Sequence, residues 1–284
     1  PWTAVALLLL CAFSAALFHT GIPVLFPFIQ EELGLTRVEL GMIPATMAIS
    51  AAISVAFMGW VVDVWGVRRS MIFSVAGAAL CVSLFSQMYG LASGILFAVL
   101  LGLAEAPNFP AAIRGLMDWL HPRTRSLGIG VQQVGIPIGG ALSAAILPSI
   151  AVAFGWRASI IVLGSVIGVI AASVVLFYRD NPATTATKPR GRSFVGSIYS
   201  MVGNKDILLA SISGGIFGGV QLATLSFMIL FLKEDLQFSI VKAGGFLAVA
   251  QLSTILGRIG WGAIGDLFLR NRRVLAFAIV GLLS

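Results

Sequence analysis

Two residues that could carry chemistry lie deep inside long apolar stretches of the sequence: the acidic Glu105 and the basic Arg258. Loss of water disfavours the charged form of a carboxyl group, so Glu105 is suited to take up and release a proton. A guanidinium stays charged and binds a carboxylate through two parallel hydrogen bonds, so Arg258 is suited to hold an anionic solute. Plainer explanations stay open: a neutral Glu105 hydrogen-bonded for packing, and an Arg258 paired with another helix.

Two uncharged polar residues extend this candidate site. His19 lies at mid-depth in the first apolar stretch, where it is able to bind a solute or share a proton with Glu105. A histidine satisfied by the backbone or by a neighbour is equally consistent with the sequence. Asn108 follows Glu105 by three residues and shares its helix face, so we expect it to hydrogen-bond Glu105 or the solute.

Four glutamines lie inside later apolar stretches, at positions 132, 133, 221 and 251. Gln132 and Gln221 are candidate solute ligands, because an uncharged amide both donates and accepts hydrogen bonds. Gln133 is adjacent to Gln132, so we expect one of the two side chains to face elsewhere. For Gln251 a packing role between helices is the favoured interpretation.

The composition requires a membrane to position these residues. Of 284 residues, 58% are hydrophobic and only 10% are charged, and the mean hydropathy is +1.01, which excludes a soluble enzyme fold. The apolar runs are long and continuous, which excludes an outer-membrane barrel and predicts an all-α polytopic membrane protein. We predict helices over residues 3–29, 39–62, 70–88, 91–117, 125–154, 157–178, 206–231 and 242–265, with a ninth starting at 274.

The distribution of Lys and Arg predicts the orientation. With the N-terminus in the cytoplasm, 13 of the 18 basic residues lie in cytoplasmic segments, four lie outside, and Arg258 lies within a helix. The net charge of +7 therefore reflects orientation in a bilayer, and no nucleic-acid partner is predicted. We expect the chain to lie in the plasma membrane, which is the inner membrane of a bacterium.

An internal repeat predicts two related helical bundles. Gly59 precedes Asp63 by four residues at the end of the second span, and Gly262 precedes Asp266 by four at the end of the eighth, each followed by basic residues. Duplicated bundles of this kind are typical of secondary transporters. We predict an N-terminal six-helix bundle over 1–178, a cytoplasmic linker over 179–205 and a partial C-terminal bundle over 206–284.

The first copy of the repeat, Gly59-x-x-x-Asp63-x-x-Gly66-x-Arg68-Arg69, resembles the signature of the major facilitator superfamily. Its second copy has Leu269 where a glycine is expected. The resemblance implies a bundle whose helices ten to twelve are absent here, and a cytoplasmic gate. The gate would comprise Gly59, Asp63, Gly66, Arg68, Arg69, Asp266 and Arg270. For Arg69 a role only in setting orientation remains the alternative.

A second resemblance concerns substrate class. Two stretches of the fourth span and the loop after it look like the organic-anion branch of that superfamily. They are Gly102-Leu-Ala-Glu105-Ala-Pro-Asn108-Phe-Pro110 and Trp119-Leu-His-Pro-Arg-Thr-Arg125. The resemblance implies proton coupling at Glu105. Some anion carriers of the superfamily are similar in binding their substrate through an arginine of the eighth helix, the place of Arg258. The Asp-Arg pair usual in the first helix of the branch is replaced here by His19-Thr20.

Glycines mark the places where helices are expected to pack closely. One stretch of the fifth span resembles a glycine-proline motif associated with antiporters: Gly135-Ile-Pro137-Ile-Gly139-Gly140. This stretch predicts a flexible or closely packed helix. The four glycines at 214, 215, 218 and 219 likewise predict contacts with a neighbouring helix.

These observations predict a secondary carrier of a small organic anion that works by alternating access, coupled to protons or exchanging substrates. The sequence contains no phosphate-binding loop and no hydrolase or zinc-protease motif, so we predict neither an enzyme nor ATP-driven transport, and no cofactor or metal. We expect a monomer in the bilayer with H⁺ as the coupling ion. Two alternatives remain: a carrier or exporter of neutral or lipophilic compounds, and a transporter-like receptor that does not transport.

Overall fold

The computed structural model describes residues 2–181 and 204–268, and helices account for nearly all of them, with no strand in either range. The helices are α1 (Trp2–Val24), α2 (Phe26–Leu33), α3 (Arg37–Trp65), α4 (Val67–Phe85), α5 (Leu91–Glu105), α6 (Asn108–Trp119), α7 (Arg125–Phe154), α8 (Trp156–Phe177), α9 (Lys205–Glu234) and α10 (Ile240–Phe268). They supply eight segments long and apolar enough to cross a membrane, which confirms the eight predicted spans. The ninth span and most of the linker lie outside the described residues.

Prolines interrupt the first and fourth spans. In the first, α1 gives way to α2 at Leu25, beside Pro23 and Pro27. In the fourth, α5 ends at Glu105 and α6 begins after Pro107. Proline has no N–H to donate to the carbonyl four residues earlier, and its ring crowds that carbonyl, so each helix breaks there.

Close packing of α7 on α1 depends on glycine. A methyl group at Gly135 would stand 2.6 Å from the carbonyl oxygen of Leu9, and one at Gly139 would stand 2.5 Å from that of Phe13. These contacts are with backbone, so only glycine allows the two helices to approach so closely. The predicted close packing of this helix is confirmed.

Within the described part of the chain, the four glycines of α9 do not make the predicted close contacts with a neighbouring helix. At Gly214, Gly215, Gly218 and Gly219 an added methyl group would have no heavy atom of another residue within 4 Å among the described residues. Gly218 instead borders a cavity at the centre of the bundle. Glycine spacing shows which residues share a face but not whether another helix covers it, so contacts of these glycines with the rest of the chain stay a prediction.

Antiparallel helices give the bundle two ends. We call the end that holds Asp63 and Arg68, between α3 and α4, the motif end, and the end that holds α2 the opposite end. At the motif end Gly66 has a φ of +86°, the left-handed backbone that only glycine adopts readily, and this allows the tight turn from α3 into α4. At Gly59, by contrast, an added methyl group would have no heavy atom of another described residue within 4 Å.

Polar contacts at the opposite end join α2 to α8. Glu32 accepts a hydrogen bond of 2.6 Å from the indole N–H of Trp156 and forms an ion pair with Arg157. The Arg157 guanidinium also donates to the carbonyl of Met88, three residues after the end of α4, at 3.1 Å. The hydrogen bonds from Arg157 and Trp156 hold the pKa of Glu32 below its usual value.

This lowered pKa predicts a pH-dependent stabilisation. A carboxyl group whose folded pKa is depressed stabilises the fold above its unfolded value, near pH 4.5, and the contribution is lost as pH falls through the folded pKa. Glu32 is half exposed, so Glu32→Gln should destabilise the protein by only a few tenths to about 1 kcal/mol at pH 7. Thermal unfolding in detergent at pH 7 and near pH 3 measures the difference, which should be smaller at the lower pH. A difference as large near pH 3 as at pH 7 would contradict the assignment.

Helices α9 and α10 pack against the first six spans between mid-height and the opposite end. Ion pairs join Arg37 to Glu234 and, at 3.7 Å, Lys233 to Glu31. The ring of Phe227 on α9 lies against Gly41 of α3, where a methyl group would stand 2.9 Å from the ring. Nearer the centre, α10 packs on α7 through glycines whose contacts are described below.

Candidate functional site

A cavity of about 540 Å³ lies at the centre of the bundle, between the first six spans and α9 and α10. It is bordered near the middle of each helix, by Ala16 of α1, Ala51 of α3, Gln132 of α7, Gln221 of α9 and Thr254 of α10. Its volume is in the range of sites that hold small molecules. The sequence-predicted residues His19, Glu105, Asn108, Gln132 and Gln221 all line it.

The contact between His19 and Glu105 is the central feature of this cavity. Nε2 of His19 lies 2.6 Å from Oε1 of Glu105, although 86 residues separate them in the chain. The imidazole is 34% exposed and the carboxyl side chain 17% exposed, so the pair is partly desolvated and open to the cavity. The second carboxylate oxygen, Oε2, is buried with no hydrogen-bond partner among the described residues. Such a pair is able to hold, share and release a proton.

The helix breaks position both members of the pair. Glu105 is the last residue of α5, directly before the break at Pro107. His19 lies four residues before Pro23, which has no N–H to offer the His19 carbonyl. Broken helices near the midplane, with polar groups turned to a cavity, are typical of solute sites in transporters.

The other predicted ligands contribute amide side chains to the lining of the same cavity. Asn108 donates from Nδ2 to the carbonyl of Cys11 at 3.3 Å, so the alternative in which it bonds Glu105 is not observed. Gln132 is 3% exposed, and its Oε1 has no partner among the described residues. Gln132 and Gln133 both border the cavity, so the expectation that one faces elsewhere was wrong. Gln221 reaches it from α9.

Gln251 joins the two parts of the bundle beside the cavity. Its Nε2 donates to the hydroxyl of Thr20 on α1 at 3.1 Å, and both side chains are buried. The same amide lies over Gly140, where a methyl group would overlap it. The predicted packing role of Gln251 is confirmed. Its partner Thr20 was not foreseen, since nothing in a lone threonine of an apolar helix indicates a contact 231 residues away.

Arg258 is placed by its backbone alone. It lies within α10, and its side chain lies outside the described residues. Asp266 also lies in α10 with its side chain outside them, and Arg270 falls beyond residue 268. The carboxylate anchor and the second copy of the gate motif therefore remain predictions.

At the motif end Asp63 contacts a basic residue of another helix. It forms an ion pair with Arg114 of α6, and Arg114 also lies 4.0 Å from Asp118. The N-terminus of α4 is occupied by Asp180, whose Oδ1 accepts from the backbone N–H of Arg68 at 2.9 Å. A carboxylate there is favoured by the helix dipole.

Arg68 bridges helices within the first six spans. Its guanidinium donates to the carbonyl of Val175 near the end of α8, at 2.8 Å, while Arg69 is exposed. Sequence reasoning missed the motif-end partners Arg114 and Asp180. The available signal was their charge at the same end of the bundle, which by itself does not select a pairing.

A comparison with known families identifies the fold. The model of the Major Facilitator Superfamily matches residues 8–284, nearly the whole chain. The chain belongs to the Major Facilitator Superfamily. The sequence resemblance is thereby confirmed, and with it the all-α polytopic membrane fold.

Two of the curated relatives are named as transporters of organic anions. The hexuronate transporter of Bacillus subtilis is 25% identical over 258 residues, which are 87% of this chain and 59% of that protein. The probable sulfoacetate transporter SauU of Cupriavidus necator is 29% identical over 174 residues, 60% of this chain and 40% of that protein. The chain therefore spans about half the length of these relatives.

Solved transporter structures share the arrangement of helices. A bacterial homologue of the human lysosomal transporter Spinster, in an inward-facing and occupied conformation, superposes with a TM-score of 0.72. The match covers 95% of this chain and 62% of that one at 18% identity, which supports the fold alone.

Proposed function

We propose that this superfamily member is a secondary carrier that moves a small organic anion across the membrane by alternating access, coupled to protons or to a counter-substrate. The observation that carries the proposal is the His19–Glu105 pair in a central, amide-lined cavity. A titratable pair at mid-height of a helical bundle offers a site where proton and solute binding affect each other. Relatives that transport hexuronate and sulfoacetate support an anionic substrate, since both solutes carry a negative group.

Arg258 is the proposed carboxylate anchor. It follows Gln251 by seven residues and Thr254 by four, and both of these line the cavity from α10. Residues four and seven apart share a helix face, so position 258 lies on the cavity face, one turn towards the motif end. An arginine there would meet an anion that enters from that end.

Substitution of Arg258 tests the anion site. Arg258→Lys keeps the charge but removes the planar two-donor geometry, so we expect uptake of radiolabelled D-glucuronate into proteoliposomes to fall at least about tenfold. Arg123→Lys, at an exposed position at the motif end, is the matched control and should leave uptake unchanged. Wild-type uptake in Arg258→Lys would remove the anchor from the proposal.

The proposed orientation puts the motif end in the cytoplasm of the cell and the opposite end outside. The ion pairs and glycine contacts that join α9 and α10 to the first six spans lie towards the opposite end, which supports a conformation closed on the outside. The proposed inner gate, at the cytoplasmic end, then comprises Gly59, Asp63, Gly66, Arg68, Arg69, Asp266 and Arg270. We place the carrier in the plasma membrane as a monomer.

Counterflow separates a carrier from a receptor. Proteoliposomes loaded with unlabelled D-glucuronate should take up labelled D-glucuronate transiently above equilibrium, because a carrier exchanges solutes across the bilayer. Saturable binding without counterflow would instead indicate a receptor. Counterflow of a neutral solute with no response to glucuronate would favour a carrier of neutral compounds.

A further inference from the structure

Building on the proposed function, we propose that His19 is itself an anion-binding residue, and that protonation of Glu105 releases its imidazolium from the carboxylate to the substrate. The proton and the anion would then bind to one pair of side chains. Coupling would follow from their shared contact and would need no conformational relay between separate sites.

The charges that face the cavity lead to this inference. From α3, α6, α7, α9 and α10 the described lining residues are uncharged: alanine, valine, phenylalanine, isoleucine, leucine, glycine, threonine and amide side chains. Among the described residues of the lining only His19 and Glu105 titrate, and neither Lys nor Arg is present. The side chain of Arg258, one turn beyond Thr254 on α10, is the remaining charge to consider.

An anion would enter this lining beside a carboxylate. With Glu105 charged, the imidazolium of His19 is held at 2.6 Å by the opposite charge, and a second carboxylate near it is repelled by the first. The pair His19⁺–Glu105⁻ has no net charge to offer a solute. In this protonation state the pair gives no electrostatic gain to an entering anion.

A proton on Glu105 reverses this balance. The carboxyl group becomes neutral, His19 stays charged, and the pair carries a net charge of +1. A substrate carboxylate then brings the total to zero, so one proton and one carboxylate bind as a neutral set. Nε2 is the ring nitrogen of His19 that contacts Glu105, which leaves Nδ1 to donate a hydrogen bond to the solute. The imidazole is 34% exposed and is therefore accessible from the cavity.

Each binding event favours the other. Binding of the anion stabilises the protonated pair, and protonation creates the cation, so the two affinities rise together by the same factor. A hydrogen bond to a charged group is worth about 1.5–3 kcal/mol, which corresponds to a factor of roughly 10–150 in affinity. The geometry thus points to a proton-dependent anion site built from two residues.

Equilibrium binding of radiolabelled D-glucuronate to the purified full chain, from about pH 5 to about pH 8, tests the inference. Wild-type affinity should increase on acidification. His19→Arg/Glu105→Gln has a permanent cation and no carboxylate, so its affinity should stay constant within about twofold across this range. His19→Gln/Glu105→Gln has neither charge and should bind at least about tenfold more weakly than the arginine variant at every pH.

Equal affinity of these two double variants would overturn the role of His19, while uptake of D-glucuronate by the wild type would leave the proposed function standing. Failure of the wild type to bind or transport D-glucuronate and sulfoacetate would instead overturn the proposed function and the inference with it. The two failures are therefore distinguishable.

A spectroscopic measurement avoids any substitution in the cavity. The chain has two histidines, and the other, His121, is exposed at the motif end, so His121→Gln leaves His19 as the only imidazole. With ¹⁵N-labelled histidine, saturation by D-glucuronate at about pH 5 should shift the Nδ1 resonance while the ring remains an imidazolium. A resonance that does not respond to saturating ligand would overturn the proposal.

Discussion

Glu105→Gln is expected to abolish proton-driven accumulation of the anion while counterflow exchange continues. Glutamine keeps the size and a hydrogen-bonding oxygen at this position but takes up no proton. One pH unit corresponds to about 1.36 kcal/mol, so a carrier that moves one proton with each anion accumulates its substrate up to about tenfold per unit of gradient. This accumulation should fall to the equilibrium level in the variant, because the proposed coupling proton no longer has a carboxylate to bind at position 105.

Proteoliposomes with an imposed pH gradient measure this effect, with labelled D-glucuronate inside and outside counted at steady state. Glu32→Gln is the matched control, because Glu32 is a partnered carboxylate outside the cavity, and its removal should leave accumulation intact. Accumulation by Glu105→Gln that still follows the pH gradient would exclude this residue as the coupling group.

Gly244→Ala is expected to favour the conformation that is open on the outside. Gly244 of α10 faces α7, where an added methyl group would overlap the carbonyl oxygen of Ala144 and stand 2.9 Å from Pro148. The clash involves backbone, so the contact between the helices must loosen. Overpacking of this kind costs about 1–3 kcal/mol, which shifts the population of a two-state carrier by roughly fivefold or more.

The adjacent glycine supplies the control for this variant. An added methyl group at Gly245 has no neighbour within 4 Å in the part of the chain that the structure describes, and Gly245→Ala gains the same helix propensity, about 1 kcal/mol. A cysteine at Ala52 in the cavity, with both natural cysteines replaced by alanine, reports access of a membrane-impermeant maleimide from outside intact cells. Labelling should rise in Gly244→Ala and stay unchanged in Gly245→Ala. Equal labelling in both would contradict a closure that depends on Gly244.

The sequence by itself determined the membrane-spanning class, the eight spans and the candidate polar residues. A bilayer restricts the sequence strongly, because every span needs about 20 apolar residues. A polar group inside a span is costly, so its presence indicates a functional or packing role. Four candidate site residues were identifiable from the sequence because they interrupt otherwise apolar helices: His19, Glu105, Gln132 and Gln221. The motif at Gly66 was identifiable because it combines a turn glycine with charges at a helix end.

Only the tertiary structure decided which of these residues meet. His19 contacts Glu105 across 86 residues, and Thr20 contacts Gln251 across 231. Helical periodicity predicts neighbours three or four residues apart on one helix, but it contains nothing about the rotation of one helix against another. That rotation depends on backbone contacts such as those at Gly135 and Gly139, where the absence of a side chain sets how closely α7 approaches α1. The same reason explains why charge by itself did not select Arg114 as the partner of Asp63, and why glycine spacing did not show whether another helix covers the glycines of α9.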